Sequence, residues 1–584
     1  MKKSKTKKLD REQRPWLKYY GDVPANLEYE EGSMVDQVIA SANKWPNNIA
    51  IYYYGSKITY KDFINRIKTC AKALKNYGVK ENDKVTICMP NTPEGIIMVY
   101  AVNMVGAICN MVHPLSSEKE LEFYINAVDS KYILCIDAVF EKIYKLKDGT
   151  NLKKIIVAKV SEDMSFYLGA VYWMFKGRKI KIPKNDEKVV MWEDFINGSK
   201  GYMGDYQEHR TAYDPAVILY SGGTTGSPKG ILLSNLNFNA LGTCCTNMIK
   251  QAIPGSTVLG ILPIFHGFGL GVCIHTPLSK GMGCILIPSF SHKKFGEIIR
   301  KNQPSFIAGV PTLYEALIES DFGPNELKCV TSAICGGDAL TATLRDKVNN
   351  FLADHGSSAR IRVGYGLTEA TGAACLSPEN VFGDGIIGAP LPDMYFKIII
   401  PGTHEEAPIG TDGEICISGP LVMMGYVNDD AETLHALRYH DDGRLWLHTG
   451  DVGYLGEDGL IYFSQRIKRI IISSGYNIYP TYLESIINTH DAVLTSTVIG
   501  IPHPYKGQVA KAFVVLKDGY KASKTIEKEI KDLLAKSVAK YALPAEYEFR
   551  DKLPTTLVGK VAFKQLEKEE NEKRKNKSED QTDK

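Results

Sequence analysis

Residues 216–233 read Ala-Val-Ile-Leu-Tyr-Ser-Gly-Gly-Thr-Thr-Gly-Ser-Pro-Lys-Gly-Ile-Leu-Leu: an apolar run, a polar glycine-rich loop, and a second apolar run. The first run has the length and make-up of a short buried strand. In the loop, Ser221, Gly222, Gly223, Thr224, Thr225 and Gly226 lead to Lys229. Glycines without a Cβ let successive backbone N–H groups close around an anion. The hydroxyls add donors and Lys229 adds a mobile cation. A strand feeding such a loop predicts a phosphate grip. The Gly-x4-Gly-Lys-Ser/Thr spacing of a Walker loop is absent. A plain flexible linker would not sit between two apolar runs.

Outward from this loop the chain alternates strand-like and helix-like segments. Ile49–Tyr54 and Lys57–Tyr60 flank Gly55-Ser56 as a hairpin would. Phe63, Ile67, Ala71 and Leu74 follow at helical spacing, with Gly78 as the expected C-terminal stop. Lys84–Met89 and Tyr132–Ile136 read as strands around a helix at Gly95–Val105. Repeated βαβ units predict an α/β fold with stacked, largely parallel sheets covered by helices. Near residue 465 the pattern changes. A helix at Leu483–Asn488, strands at Leu494–Ile501 and Lys511–Leu516, and an amphipathic helix at Ser523–Ala539 predict a small C-terminal α/β domain. The expected organisation is a basic extension at 1–24, a large domain at 25–465, a small domain at 466–566 and a disordered tail at 567–584.

At 584 residues the chain exceeds one compact core. Its net charge of +3 is close to balanced and gives no ground for a nucleic-acid partner. Twelve cysteines occur without a CxxC pair or a zinc-finger spacing, which predicts reduced thiols in a cytoplasmic protein. The lysine-rich start runs into Asp10-Arg11-Glu12 without the apolar stretch of a secretory signal. Phe166–Phe175 is aromatic, too short to span a bilayer, and followed by Lys176, Arg178, Lys179 and Lys181. A buried helix with a charged exit and a peripheral contact with the inner membrane surface are both compatible with it.

Further segments carry chemistry. Gly364-Tyr-Gly-Leu-Thr-Glu-Ala370 offers Tyr365 to stack on a base, Thr368 to bond a phosphate oxygen and Glu369 to hold Mg²⁺. In Trp446-Leu-His-Thr-Gly-Asp451 a carboxylate follows a turn and can accept from ribose hydroxyls. Arg466-Ile-Lys-Arg469 brings cations, and Pro554–Lys560 ends in Gly-Lys.

With Leu262-Pro-Ile-Phe-His-Gly267, Ala308-Gly-Val-Pro-Thr312, Cys335-Gly-Gly-Asp-Ala339 and Ser474-Gly-Tyr-Asn-Ile-Tyr-Pro480, these segments resemble, in their order, the adenylate-forming superfamily. That superfamily contains acyl-CoA synthetases, luciferases and peptide-synthetase adenylation domains, and the resemblance covers residues 25 to 566. It implies a small barrel-like subdomain in the large domain and a mobile C-terminal domain hinged at Lys468. It implies acyl-AMP formation from ATP and a carboxylic acid, then transfer to coenzyme A. By the same resemblance, Lys560, Glu369, Thr368 and Lys468 are catalytic, with Mg²⁺ on Glu369. The loop 221–226, Lys229, Gly336, Gly337, Asp338, Tyr365, Gly366, Asp451 and Arg466 would bind ATP and AMP. Ser474 and Gly475 would line the CoA channel, and His266 and Phe268 would border the acyl pocket.

The sequence departs from that pattern at Gln465, where glycine usually precedes the hinge arginine. It departs also at Val558, at Phe563 in place of arginine, and at Gln508 in place of glutamate. Ser291 stands where amino-acid-activating relatives place an aspartate, so a substrate ammonium would lack a counter-ion. Pro15–Tyr20 and the aromatic segment at 166–175 resemble long-chain fatty acyl-CoA synthetases. The expected reaction joins a medium- or long-chain fatty acid to CoA, performed by a monomer or homodimer. An aryl acid:CoA ligase, an acyl-AMP ligase loading a carrier protein, and a silent nucleotide-binding member stay open as alternatives.

Overall fold

The computed structural model describes residues 14–165, 169, 172, 174, 180–183, 185–221, 228–383, 385–473, 476–503, 505–555 and 561–582. The predicted hairpin forms between Ile49–Tyr53 and Ser56–Thr59, turning through Tyr54 and Gly55 at positive φ. The helix Tyr60–Asn76 follows, capped by the Thr59 hydroxyl, with Phe63, Ile67, Ala71 and Leu74 fully buried on one face.

Two sheets build the large domain. In the eight-stranded sheet, Lys84–Cys88 pairs in parallel with Ile108–Met111 and Tyr132–Ile136. The parallel run extends to Lys154–Ala158 and Val189–Met191 on one side. On the other side Pro215–Ser221 pairs in parallel with Ile108–Met111 and then antiparallel with Lys229–Ser234. A fourteen-stranded sheet carries the parallel strands Thr257–Gly260, Gly283–Leu286, Phe306–Gly309, Ser332–Gly336 and Ile361–Tyr365. The helix Pro93–Met104 is buried along its whole length, as an element apolar all round must be. A single apolar core joins residues of both sheets, and a second core packs helices on the fourteen-stranded sheet.

Three expectations are corrected. The strands Ile386–Pro390, Tyr395–Ile399, Gly413–Ser418, Leu445–Leu455 and Ile461–Arg466 do not close into a separate barrel. They run on antiparallel from Cys375–Leu376 as an open extension of the large sheet. The basic stretch at 1–24, expected as an extension outside the large domain, packs on that domain from residue 14 onward, because Trp16 and Tyr20 are buried and the Tyr20 hydroxyl donates to the Pro390 carbonyl at 2.7 Å. The tail expected to be disordered is helical over Phe563–Thr582, anchored by buried Leu566 and by Glu570, which accepts from Lys511 at 2.7 Å.

The C-terminal domain forms as read. A five-stranded sheet of Ile471–Ser473, Tyr476–Ile478, Val493–His503, Gly507–Leu516 and Glu546–Phe549 packs with the helices Pro480–Ile487 and Lys524–Ala535 around its own core. Arg466, read as opening that domain, instead ends a strand of the large one, in register with Asp451. The link is the one-turn helix Ile467–Arg469.

Candidate active site

Pairing between Pro215–Ser221 and Lys229–Ser234 sets Ser221 opposite Lys229, the two ends of the glycine-rich segment expected to grip phosphate. Gly222, Gly223, Thr224, Thr225 and Gly226 lie outside the described residues, as do Ser474, Gly475, Val558 and Lys560. Lys229 is not free at the mouth of this loop. Its ammonium pairs with Glu432 and sits 5.3 Å from the centroid of the Tyr426 ring.

Tyr426 extends the connection. Its hydroxyl donates to Glu369 Oε1 at 3.1 Å, so Lys229 and Glu369 flank one tyrosine. Glu369 lies in the short helical turn Thr368–Ala370, where Thr368 is buried and the Met423 amide donates to the Glu369 carbonyl at 2.8 Å. Burial raises the Glu369 pKa above the ordinary carboxylate value. A half-buried carboxylate whose ionised form is poorly solvated is a fit partner for Mg²⁺. Tyr426 and Glu432 carry no spacing signal in the sequence. The two-residue strand Gly425–Tyr426 reaches the site by pairing with Leu232 and Ile231.

A second cluster lies alongside. The Tyr365 hydroxyl donates to Asp451 Oδ2 at 2.7 Å, and Arg466 Nε approaches Asp451 Oδ1 at 3.1 Å. Asp451 is almost fully buried, while the Arg466 side chain is half exposed. Asp451 raises the Arg466 pKa, with smaller contributions from Tyr365, Glu369 and Asp338. Burial and Asp451 drive the Tyr365 phenol well above its usual value, which keeps it a hydrogen-bond donor. Asp451 does not follow a simple turn: it lies inside the strand Leu445–Leu455, where pairing with Gly413–Ser418 shifts register and Gly450 takes a positive φ.

Gly336 and Gly364 are direct partners on neighbouring parallel strands, and a Cβ on Gly336 would come within 2.9 Å of the Gly364 carbonyl oxygen. Gly337 and Asp338 continue into an exposed loop. Beside these glycines lies a small pocket lined by Ile249, Phe268, Val272, Ile334, Leu376 and Leu391, with no charged side chain among the described lining residues. Of the two residues expected at the acyl pocket, Phe268 lines this cavity; His266 Nδ1 accepts from the Phe268 amide at 3.3 Å. Gly366 sits against Gly372 and Ala373, where a Cβ would meet backbone at 2.5 Å.

The AMP-binding enzyme family matches residues 38–427, more than half of the chain, and the AMP-binding enzyme C-terminal domain matches residues 482–560. The chain belongs to the AMP-binding enzyme family. Among its relatives, the long-chain-fatty-acid–CoA ligase of Bacillus subtilis is 34% identical over 568 residues, covering 96% of this chain and 99% of that protein. The probable 4-coumarate–CoA ligase 3 of Dictyostelium discoideum is 28% identical, covering 87% and 90%. ATP-bound MatB from Rhodopseudomonas palustris superposes with a TM-score of 0.79 at 24% identity, covering 92% of this chain and 99% of that one, a likeness of fold. In this AMP-binding enzyme, Tyr365 of the Tyr365–Asp451–Arg466 cluster directly follows Gly364, which lines the apolar pocket. No described helix is long and apolar enough to cross a membrane.

Proposed function

We propose that this AMP-binding enzyme is a long-chain fatty acid:CoA ligase using ATP. The acid's carboxylate attacks the α-phosphate, forming acyl-AMP and releasing pyrophosphate. The CoA thiol then displaces AMP to give the thioester. The observation that carries the reading is the uncharged cavity abutting Gly336 and Gly364, beside the Tyr365–Asp451–Arg466 cluster. Apolar walls favour an alkyl chain over a charged group, with a gain of about 0.8 kcal/mol for each methylene buried against them. The name of the Bacillus relative agrees with it.

In this reading Asp451 and Arg466 fix the ribose, Tyr365 packs on the adenine, and Thr368 and the loop 221–226 hold phosphate oxygens. Lys229 leaves Glu432 for the departing pyrophosphate. Lys560 meets the α-phosphate and the substrate carboxylate, and the small domain turns on Lys468 to bring Ser474 and Gly475 to the CoA channel. Mg²⁺ held by Glu369 would neutralise phosphate charge during the transfer. The aromatic segment at 166–175, largely outside the described residues, is the contact with the inner membrane surface from which the acid is drawn.

A panel of acids from acetate to oleate, with benzoate and 4-coumarate included, tests the reading by CoA-dependent AMP release. Palmitate and oleate are expected to give the highest kcat/KM. Faster turnover of the aryl acids would overturn the acyl assignment in favour of an aryl acid:CoA ligase. Pyrophosphate release that never requires CoA would overturn the second half-reaction.

A further inference from the structure

On the antiparallel extension, away from the cavity, Glu414, Cys416 and His448 share one face of paired strands. Glu414 and Cys416 are two positions apart on Gly413–Ser418, and Cys416 is the direct register partner of His448. One donor atom from each of the three lies within 4.8 Å of the others. Cys416 is fully buried, and the Glu414 and His448 side chains are 12% and 6% exposed. Carboxylate, thiolate and imidazole together form a mixed donor set that zinc-class cations accept in tetrahedral sites, with bonds of about 2.0–2.3 Å. Two anions and one neutral ring would balance a 2+ charge.

The surroundings supply the outer support that such sites need. His448 Nε2 lies 2.9 Å from His440 Nε2, leaving the Nδ1 edge of the ring toward Glu414 at 3.0 Å. His440 is itself buried, stacked on His404 with centroids 4.3 Å apart, and its Nδ1 has no hydrogen-bond partner among the described residues. The neighbouring cations are engaged elsewhere: Lys397 with Asp442 and the Trp446 ring, Arg438 with His435. Without an ion, His448 Nδ1–H donates to Glu414 and His440 Nε2–H donates to His448 Nε2, so the interior keeps a bare His440 Nδ1.

We propose that Glu414, Cys416 and His448 form a binding site for a thiophilic divalent cation of the zinc class, separate from Glu369. The cation takes a Glu414 oxygen, His448 Nδ1 and the Cys416 sulfur. The thiol proton leaves to solvent, the His448 proton moves to Nε2 and is donated to His440 Nε2, and His440 takes the Nδ1–H tautomer. A second ring nitrogen held by a hydrogen bond is the usual support of a metal-bound histidine. The site also abuts nucleotide chemistry, since the Gly450 amide, next to Asp451, donates to Glu414 Oε1 at 3.2 Å.

Cobalt(II) added to the reduced, chelator-treated full chain is the test. One equivalent should produce a near-ultraviolet thiolate-to-cobalt band that Zn²⁺ abolishes by displacement. C416S should lose the band, and H448Q should bind cobalt at least tenfold more weakly. C329S, altering the half-exposed cysteine, should keep it. H440Q should cost about 10–100-fold in affinity as an outer partner. Absence of the band in the unaltered chain, or its survival in C416S, overturns the proposal. Where C416S melts below the unaltered chain, H448Q decides: cobalt affinity equal to that of the unaltered chain overturns it.

Discussion

Glu369, the residue proposed to hold Mg²⁺, is placed at some expense of stability. Burial raises its pKa, so the folded state holds the proton more tightly than the unfolded chain does. Its contribution is therefore complete below the unfolded glutamate pKa and is lost as pH rises through the folded value. Glu369→Gln keeps an acceptor for the Tyr426 hydroxyl and removes the charge. Adenylation should fall by about 100-fold or more, while the gain in melting temperature over the unaltered enzyme should be larger at pH 8 than at pH 5. A variant less stable than the parent at pH 8 would contradict the burial argument. Lys560 gives the complementary prediction. Lys560→Ala should slow acyl-AMP formation by roughly 10²–10³-fold, the scale of one lost transition-state charge. Thioester formation from supplied acyl-AMP should change far less. Equal loss in both half-reactions, read by stopped assays of each, would refute the role. Both residues stand in motifs that the sequence displays. Glu432, 203 positions from Lys229, and Tyr426 do not, because nothing local marks a partner supplied by a distant strand pairing.

The element that matters most is the strand Ile461–Arg466 and the turn that follows it. Gln465, which stands where the family usually has glycine, is fully buried, and neither atom of its amide has a hydrogen-bond partner among the described residues. Leaving such a group unpaired costs about 1–3 kcal/mol. Gln465→Met, with an unbranched side chain of similar size, should stabilise the protein by about 1–2 kcal/mol. The midpoint of urea unfolding reads the change, and a lower midpoint would show that the amide is satisfied. Phe563, another departure, has found a use in this arrangement, with the Arg469 guanidinium 4.9 Å from its ring centroid. The departures were legible as letters; their consequences were not, because burial at 465 follows from pairing with Val452.

At the scale of the molecule, two features answer to solution conditions. His275 is fully buried between Tyr100 and Asn239, at 3.1 and 3.0 Å, and burial pushes its pKa down to about 3. The unfolded chain takes up this proton near the ordinary histidine value, so native stability falls as pH drops below about 6.5. The slope approaches about 1.4 kcal/mol per pH unit for this one group. Urea midpoints at pH 7.5, 6 and 5 should decline, and less so in His275→Gln; identical declines would remove His275 as the source. Deleting residues 166–175 should lower sedimentation with liposomes while a soluble short acid is still adenylated. Unchanged sedimentation would remove the membrane contact.

The sequence by itself determined the α/β class, the sheet-forming segments, the change of character near residue 465 and the family to which the chain belongs. These follow from short-range patterns: apolar period, glycine in loops, charged motifs in a set order. It misjudged the tail, because the anchoring of Glu570 to Lys511 is a contact across 59 positions that composition cannot show. The small barrel-like subdomain implied by the resemblance is instead an open sheet, since strand patterns do not say whether a sheet closes. Only the tertiary structure brought Tyr365 and Asp451 together with Arg466, placed uncharged pocket walls beside Gly336 and Gly364, and gathered Glu414, Cys416 and His448 on one face. Register and burial decide such meetings, and both are properties of the assembled sheets rather than of any one segment.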